Sequence, residues 1–249
     1  MEPHGPGNMQ PVFYSGNVYS TNVRILKEAH LKLQVTQPDT DVVLDAIGFN
    51  LADKELEVAA GIGLWPVVAP ATAYDAKGLL AAAMESDDPV LYLEPLKGYR
   101  LTKDEVPDER YTVPLGKLRV ARAGADVTLI AWSAAVNVAE RAAEELSERG
   151  ISVEVLDLRS LNPLDIDAIA ESVAKTGRVA ILHEAPLTGG FGGELVATIQ
   201  QECFYSLEAP IIRISAPDTP YPLGGVEDLY IPDVDRVVAE VAALAKASA

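Results

Sequence analysis

His183 and Glu184 are the residues of this sequence that most directly suggest chemistry, because an imidazole beside a carboxylate can transfer protons or bind a metal. They follow a short apolar run that predicts a buried strand. A zinc site of the H-E-x-x-H type needs a second histidine four residues after the first, and Leu187 stands there instead. The pattern therefore excludes that zinc site and favours a structural or subunit-interface role.

A glycine-rich turn comes next, over residues 189–193, with the sequence Gly-Gly-Phe-Gly-Gly. Backbone amides in such a turn, at the start of a helix, can cradle a phosphate. The spacing is not the G-x-G-x-x-G of dinucleotide-binding proteins, and no acidic residue ends the following strand in the dinucleotide manner. A packing role for the turn is therefore favoured over a phosphate site.

Other polar residues also stand near the ends of predicted strands. Ser133 lies in Ala-Trp-Ser-Ala-Ala rather than G-x-S-x-G, which indicates a helix cap or turn and not a nucleophile. Asp157 and Arg159 can pair with each other or bridge to a neighbouring subunit. Asp218 and Tyr221 fall in a proline-rich loop whose order we expect to depend on a partner chain. The candidate interface residues are His183, Glu184, Phe191, Asp218 and Tyr221.

Regularly alternating elements must position these residues, from Asp126 to the end of the chain. The predicted strands are Val127–Ala131, Ser152–Asp157, Val179–His183 and Ile211–Ile214; the predicted helices are Asn137–Arg149, Asp165–Thr176, Gly193–Phe204 and Val234–Ala247. Gly150 and Gly177 stand just after two of the helices, where glycine commonly ends them. The alternation predicts an α/β fold with a doubly wound, mostly parallel sheet.

The part of the chain before Asp126 does not show this regular alternation of strands and helices. Strand Val67–Pro70, helix Ala73–Met84 and strand Val90–Leu93 make one predicted βαβ unit, followed by a polar segment, 97–118, that we expect to cross the surface as a linker. The first 62 residues contain short strand-like runs, at Val12–Tyr14, Asn17–Tyr19, His30–Thr36 and Val42–Phe49, that suggest a small β-rich segment. The predicted division is therefore 1–62, 63–123 and 124–249.

Composition narrows the functional classes. The 249 residues include 20 Lys and Arg against 37 Asp and Glu, for a formal net charge of −17. This balance disfavours nucleic-acid binding, which needs clustered basic residues. A role in solubility is the favoured interpretation, and docking to a basic partner domain is the alternative. Cys203 is the single cysteine, and no apolar stretch is long enough to cross a membrane. Because the first residues do not resemble a signal sequence, we expect a cytoplasmic protein.

Several segments resemble one family in order along the chain. They are VVAPATAYDAKGLLAAAMESDDPVLYLEP (67–95), GADVTLIAWSAAVNVAERAAEEL (124–146), VEVLDLRSLNPLD (153–165), HEAPLTGGFGGEL (183–195) and PDTPYPLGGVEDLYIPDVDRVV (217–238). The first is similar to the last βαβ unit of the pyrimidine-binding domain in β subunits of thiamine-diphosphate-dependent 2-oxo acid dehydrogenases (E1). The other four are similar to the transketolase C-terminal domain that follows it, in its branched-chain or bacterial pyruvate type.

This resemblance implies a component of an α2β2 oxidoreductase. In the family, thiamine diphosphate binds between subunits, magnesium is held by the α subunit, and the acyl product passes to an E2 protein. The glutamate that activates the cofactor and the substrate-handling histidines precede the part that matches Val67, and this sequence has no corresponding stretch. No catalytic, cofactor-binding or metal-binding residue is therefore carried over, and we expect the chain alone to bind no cofactor.

The N-terminal segment resembles a different family. PHGPGNMQPVF (3–13), HLKLQV (30–35) and DAIGFN (45–50) are similar to the oligonucleotide-binding (OB) domain of RecJ-type single-strand-specific exonucleases. The phosphoesterase domains of that family have no counterpart here, so nuclease chemistry is not expected. Two unrelated resemblances that meet near residues 62–65 suggest a chimera, either designed or produced by an unusual fusion.

The resulting hypothesis is an E1 β-like assembly module that contacts an E1 α subunit, an E2 subunit-binding domain and a second copy of itself, and that is inactive alone. The alternatives are a single-strand nucleic-acid-binding module acting through the N-terminal segment, and a scaffold without activity. A βαβ unit that lacks the rest of its domain is expected to expose apolar surface. We therefore expect either self-association or coverage of that surface by the N-terminal segment.

Overall fold

The computed structural model describes residues 13–15, 21–25, 65–95, 105–222 and 229–247, the first two ranges as backbone strands only. The strands are β1 (Phe13–Ser15), β2 (Thr21–Ile25), β3 (Val67–Val68), β4 (Leu91–Pro95), β5 (Arg119–Arg122), β6 (Val127–Ala131), β7 (Val153–Asp157), β8 (Ser160–Asn162), β9 (Val179–Pro186) and β10 (Ile212–Ala216). The helices are α1 (Ala73–Glu85), α2 (Ala135–Glu148), α3 (Ile166–Thr176), α4 (Gly192–Cys203) and α5 (Val234–Leu244), with a 3-10 helix at Phe204–Ser206. These elements form two five-stranded sheets.

The second sheet has the strand order β10-β9-β6-β7-β5. Its first four strands are parallel, and β5 joins antiparallel to β7 at one edge. Every residue of β6 and β7 is buried, which is typical of central strands covered on both faces. This is the doubly wound, mostly parallel sheet that the alternating pattern predicts.

Helices cover the two faces of the second sheet in pairs. Leu129 and Val155 face a core shared with α2 and α5, whereas Ile130 and Leu156 face a core shared with α3 and α4. Neighbouring residues on one strand point to opposite faces, so a continuous apolar run fills both cores. Each fully buried Leu or Ile contributes about 1.5–3 kcal/mol relative to exposure. Gly177 ends α3 in the left-handed conformation, with φ 66°.

The first sheet has the strand order β1-β2-β4-β3-β8. β3 and β4 are parallel and are connected by α1, which confirms the predicted βαβ unit. The Thr72 hydroxyl caps α1 by accepting from the Asp75 amide at 3.0 Å. β2 adds antiparallel to the outer edge of β4, with Thr21 opposite Pro95 and Ile25 opposite Leu91. The N-terminal segment therefore extends this sheet at its edge.

The apolar residues of the βαβ unit are buried. On one face, Val68 and Tyr92 pack against α1 and against Val113, which belongs to the polar segment that follows this unit. On the other face, Val67 and Leu91 join the core that α3 and α4 share. Within the described part of the chain, residues that follow the βαβ unit cover the surface that was expected to be exposed.

Three details differ from the sequence prediction. Residues 105–118 do not simply cross the surface: Tyr111 stacks on Tyr74 at 4.4 Å, and the Val113 amide donates to the Gly78 carbonyl of α1. The short strands β5 and β8 were not predicted. The strand β2 was not predicted either, and the predicted strand Asn17–Tyr19 lies outside the described residues. The predicted strands His30–Thr36 and Val42–Phe49 lie outside the described residues.

Candidate functional site at the switch point of the second sheet

Three of the residues singled out from the sequence lie near the point where the second sheet reverses its strand order, namely His183, Phe191 and Asp218. From β6 the chain passes through α2 to β7, whereas from β9 it passes through α4 to β10 on the opposite side of β6. The two connections therefore leave adjacent strands in opposite directions. Open α/β sheets commonly bind ligands at such a switch point.

His183 lies within β9, beyond the residues of that strand that pair with β6. Its side chain is buried, with 1% of the residue exposed, and its ring stacks parallel to Trp132 at 5.5 Å. Phe191 meets the same indole edge-on at 5.9 Å. Trp132 was not selected from the sequence, although a tryptophan directly after a buried strand and before Ser133 was a usable signal.

The ring nitrogens of His183 lack hydrogen-bond partners. Both are buried, and neither has a partner among the described residues. The ring edge faces the glycine turn, since a Cβ at Gly192 would touch Nε2 and one at Gly190 would lie 2.8 Å from Cε1. Burial, aided by the positive charge of Arg213, lowers the pKa of His183 to about 4. The imidazole is therefore neutral at physiological pH.

The turn between β9 and α4 is held from two directions. Asp218 accepts from the Thr188 amide at 2.8 Å and from its hydroxyl at 2.7 Å, and these bonds hold the Asp218 pKa below its usual value. Arg213 of β10 donates to the Leu187 carbonyl at 2.7 Å. Both contacts link the turn to β10 and to the segment after it.

The remaining candidate residues differ in exposure and in their contacts. Glu184 and Phe191 are half-buried, and Asp218 is exposed. Tyr221 packs edge-on against Tyr230 at 5.1 Å. The structure therefore brings His183 and Phe191 together around Trp132, and connects Asp218 to the same turn through Thr188.

Asp157 and Arg159 belong to a separate charge cluster between the two sheets. The Arg159 guanidinium contacts Asp75 of α1 at 2.6 Å, and Arg119 lies 3.1 Å from Asp157 and 3.7 Å from Asp75. Between Asp157 and Arg159 themselves, only the Arg159 amide donates, at 3.2 Å. The expected side-chain pair is replaced by a four-residue cluster, and Asp75 is the member that sequence reasoning missed.

This cluster is electrostatically strained at Asp157. The Asp157 pKa is raised to about 6, because burial and the Asp75 charge together outweigh the opposing effect of Arg119. Arg159 has φ 56°, a conformation that is unfavourable for a side chain with a Cβ. Within the described ranges no group of three or more His, Cys, Asp or Glu residues can hold a metal ion.

Comparison with known families separates the chain into two similarities. Residues 116–237 match the transketolase C-terminal domain. Residues 1–70 match the RecJ OB domain. Both resemblances inferred from the motifs are thereby confirmed, and they meet in one chain. The switch-point residues fall inside the transketolase C-terminal match, whereas Asp75 lies outside it.

Curated relatives are E1 β subunits. The pyruvate dehydrogenase E1 component subunit beta of Bacillus subtilis is 47% identical over 167 residues, which are 67% of this chain and 51% of that protein. The mitochondrial 2-oxoisovalerate dehydrogenase subunit beta of Dictyostelium discoideum is 49% identical over 168 residues, 67% of this chain and 45% of that protein. The chain thus spans about half the length of the curated relatives it matches.

Solved structures agree on the fold. A split-gene transketolase, described as an inactive beta4 tetramer, has a TM-score of 0.60 and 26% identity over 74% of this chain and 58% of that one. A transketolase mutant from Pichia stipitis has a TM-score of 0.51 and 15% identity over 76% of this chain and 27% of that one. The second similarity supports the fold alone. Among the described residues, no helix is long and apolar enough to span a membrane.

Proposed function

We propose that this chain is an E1 β-like assembly module of a 2-oxo acid dehydrogenase complex, of the pyruvate or branched-chain type, that is inactive alone. The observation that carries the proposal is the identity of 47–49% to E1 β subunits over only about half of their length. A beta4 tetramer of a split-gene transketolase that is itself inactive supports it. We place the protein in the cytoplasm.

The described residues do not fit thiamine diphosphate with its magnesium ion. The two fully buried aspartates, Asp75 and Asp157, face guanidinium groups rather than an open cavity. At the switch point, the buried titratable group is a neutral imidazole, whereas cofactor activation in the family requires a carboxylate. No step is therefore assigned to that cofactor on this chain.

The surface around the switch point is the proposed interface with a second copy, an E1 α subunit or an E2 subunit-binding domain. Phe191, Tyr221 and Asp218 combine aromatic area with an exposed carboxylate, the composition expected of an interface with a polar rim. His183 lies beneath this surface and supports the turn. A net charge of −17 favours a basic partner and a fast, salt-dependent association.

The proposal is tested by measuring decarboxylation of pyruvate and of a branched-chain 2-oxo acid with thiamine diphosphate and magnesium. The purified chain alone should show no turnover, and the intact Bacillus subtilis β subunit with an α subunit serves as the positive control. Clear turnover by the chain alone would refute the inactive role.

Assembly is tested separately by calorimetry with an E2 subunit-binding domain. We expect a complex that weakens as salt rises and that Tyr221→Ser weakens further. Tyr205→Ser is the matched control, because Tyr205 is 99% exposed on the 3-10 helix, away from the proposed interface. The absence of any complex would favour the scaffold alternative instead.

A nucleic-acid-binding role is the second candidate, supported by the match of residues 1–70 to the RecJ OB domain. It predicts that labelled single-stranded DNA gains fluorescence anisotropy at low salt and loses it as salt rises. The overall acidic charge opposes this role. No change in anisotropy at the lowest salt eliminates it.

A further inference from the structure

A cavity lies at the amino-terminal edge of the second sheet, at the end of the strands opposite to the switch point. Its volume is about 370 Å3, within the range of small-molecule sites. Asp126 and Arg178 line it directly before β6 and β9, and Ile151 lines it two residues before β7. The ends of α2 and α5 supply the other lining residues.

Gly150, just after α2, leaves one side of this cavity open. Its φ is 76°, a left-handed conformation that favours glycine. Apart from its chain neighbours, no atom lies within 4 Å of the position that a Cβ on Gly150 would take. At Gly190 and Gly192 the same position is filled by neighbouring atoms. The cavity therefore has room for a ligand that the turn before α4 does not have.

Three basic side chains line the cavity, in a chain whose net charge is −17. Arg178 is engaged already: Nε and Nη2 donate to the Ala247 carbonyl at 3.3 and 3.1 Å, and Nη1 donates to Glu208 at 2.7 Å. These bonds place positive charge beside the carbonyl end of α5. The exposed side chains of Arg149 and Lys246 have no hydrogen bond or ion pair among the described residues. Two cations are thus available to a ligand.

The charge balance at the cavity suits a monoanion. Asp126 is the acidic residue of the lining, and its Oδ2 accepts from the Ser152 amide at 2.7 Å. Asp126 and the Glu208 partner of Arg178 offset two of the three basic side chains. One positive charge remains, which a single carboxylate neutralises.

The rest of the lining is apolar. Ile151, Ala242 and Ala245 are half-buried and pack against the core that α2 and α5 share. Apolar surface next to a cationic rim favours a ligand with an aliphatic part, because burial of that part removes apolar area from water. A bare inorganic anion would leave this surface uncovered.

We propose that this cavity binds a small aliphatic carboxylate, with the Arg149 guanidinium and the Lys246 ammonium as donors to its oxygens. The aliphatic chain of the ligand lies on Ile151, Ala242 and Ala245. The site is at the opposite end of the second sheet from the proposed assembly interface and uses no cofactor. Either proposal can therefore fail without the other.

The test is an NMR titration of the 15N-labelled full chain with 3-methylbutanoate at constant ionic strength. We expect saturable shifts of the amide signals of Gly150, Ile151 and Arg178. Acetate lacks the aliphatic chain and 3-methylbutanamide lacks the charge, so each should bind at least about tenfold more weakly. No saturable shift with 3-methylbutanoate overturns the proposal, and so does equal or tighter binding of acetate, the amide or inorganic phosphate.

Variants separate a site from general charge effects. Arg149→Gln and Lys246→Gln should each weaken 3-methylbutanoate binding about tenfold, the scale of a lost charge-assisted hydrogen bond. Arg141→Gln, exposed on α2, makes the same charge change away from the cavity and should leave the affinity unchanged. All three positions are exposed, so circular dichroism should show the same fold for each variant. Unchanged affinity in Arg149→Gln or in Lys246→Gln overturns the proposal, as does equal weakening by Arg141→Gln.

Discussion

The two sheets of this chain draw their strands from the sequence in different ways. In the second sheet, β6, β7, β9 and β10 are consecutive βα units, and each strand is followed by the helix that covers it. In the first sheet, β2, β3, β4 and β8 come from three distant parts of the chain. Local patterns are therefore sufficient to build the second sheet, whereas the first depends on long-range pairing.

Long-range contacts also make the two sheets one structure. Asn162 of β8 donates to the Trp65 carbonyl at 2.7 Å, and the Ala69 amide donates to the Arg159 carbonyl at 2.8 Å. Asp75 and Arg159 add a buried ion pair across the same boundary. The first sheet has a core of its own on one face and shares the core of α3 and α4 on the other, so we expect the chain to unfold as a unit.

The largest expected effects come from emptying the core of either region. Leu129 of β6 and Leu79 of α1 are both fully buried, so truncating either to alanine should cost about 2–5 kcal/mol of unfolding free energy. If the regions are coupled, both variants shift one urea transition with an unchanged slope, followed by circular dichroism and tryptophan fluorescence. A separate early transition in Leu79→Ala would show that the first sheet unfolds alone.

The charge cluster between the sheets predicts a pH effect of about 3 kcal/mol. The Asp157 pKa is raised from 3.8 to about 6 in the folded protein, a difference of about 2.2 pKa units at 1.36 kcal/mol each. The folded state binds this proton more tightly than the unfolded state. The contribution of this proton to the unfolding free energy is therefore fully present below about pH 4 and is lost as the pH rises to about 6.

Asp157→Asn isolates this contribution. The amide keeps the shape of the carboxylate but does not titrate, so the pH dependence of its unfolding free energy lacks the Asp157 component. Urea unfolding of both proteins between pH 4 and 7 measures the difference. An identical pH profile for the two proteins would mean that Asp157 does not titrate in this range.

Buried His183 at the switch point predicts a pH effect on stability of similar size and opposite sign. The His183 pKa falls from 6.5 to about 4 on folding, so the unfolded state binds its proton more tightly. The contribution of His183 to the unfolding free energy, roughly 3 kcal/mol, is fully present above about pH 6.5 and is lost as the pH falls to about 4. In the unmodified chain it largely offsets the Asp157 component over nearly the same pH window.

His183→Phe should reveal the opposing slope. With the imidazole gone, stability should increase as the pH falls from 6 to 4, because the Asp157 component remains. In Asp157→Asn, stability should decrease over the same range. The double variant is the control. The pH dependence of its unfolding free energy should contain neither the Asp157 nor the His183 contribution. Parallel slopes in the two single variants would contradict the assignment.

Sequence reasoning succeeded where the determinants are local. Strand Val127–Ala131 matches β6 residue for residue, and the glycine at 177 ends α3 as predicted. It missed β8, because Ser160–Asn162 has no strand-like alternation and is a strand only through its pairing with β3. A three-residue strand defined by a distant neighbour leaves no local signal.

The candidate site also combines features that the local sequence predicts with features that only tertiary packing creates. His183 was selected because it ends an apolar run, which is a local feature. The burial of its ring, its missing partners and its stacking on Trp132 arise from packing between β6, β9 and α4 and are invisible in sequence. Asp75 was not selected from the sequence, since its partner Arg159 belongs to a different part of the chain.

The smallest expected effects compare helix caps in the two regions. Asp233 caps α5 by accepting from the Arg236 amide at 2.8 Å, and Thr72 caps α1. Removing either side chain with alanine should cost about 1 kcal/mol. Thr72 also donates to Asp75 at 2.9 Å, so Thr72→Ala should exceed Asp233→Ala, and Thr72→Ser should restore most of the loss. Equal costs in urea unfolding would indicate that the hydroxyl does not support the buried carboxylate. The cap would then be a local feature of α1, with no share in coupling the two sheets.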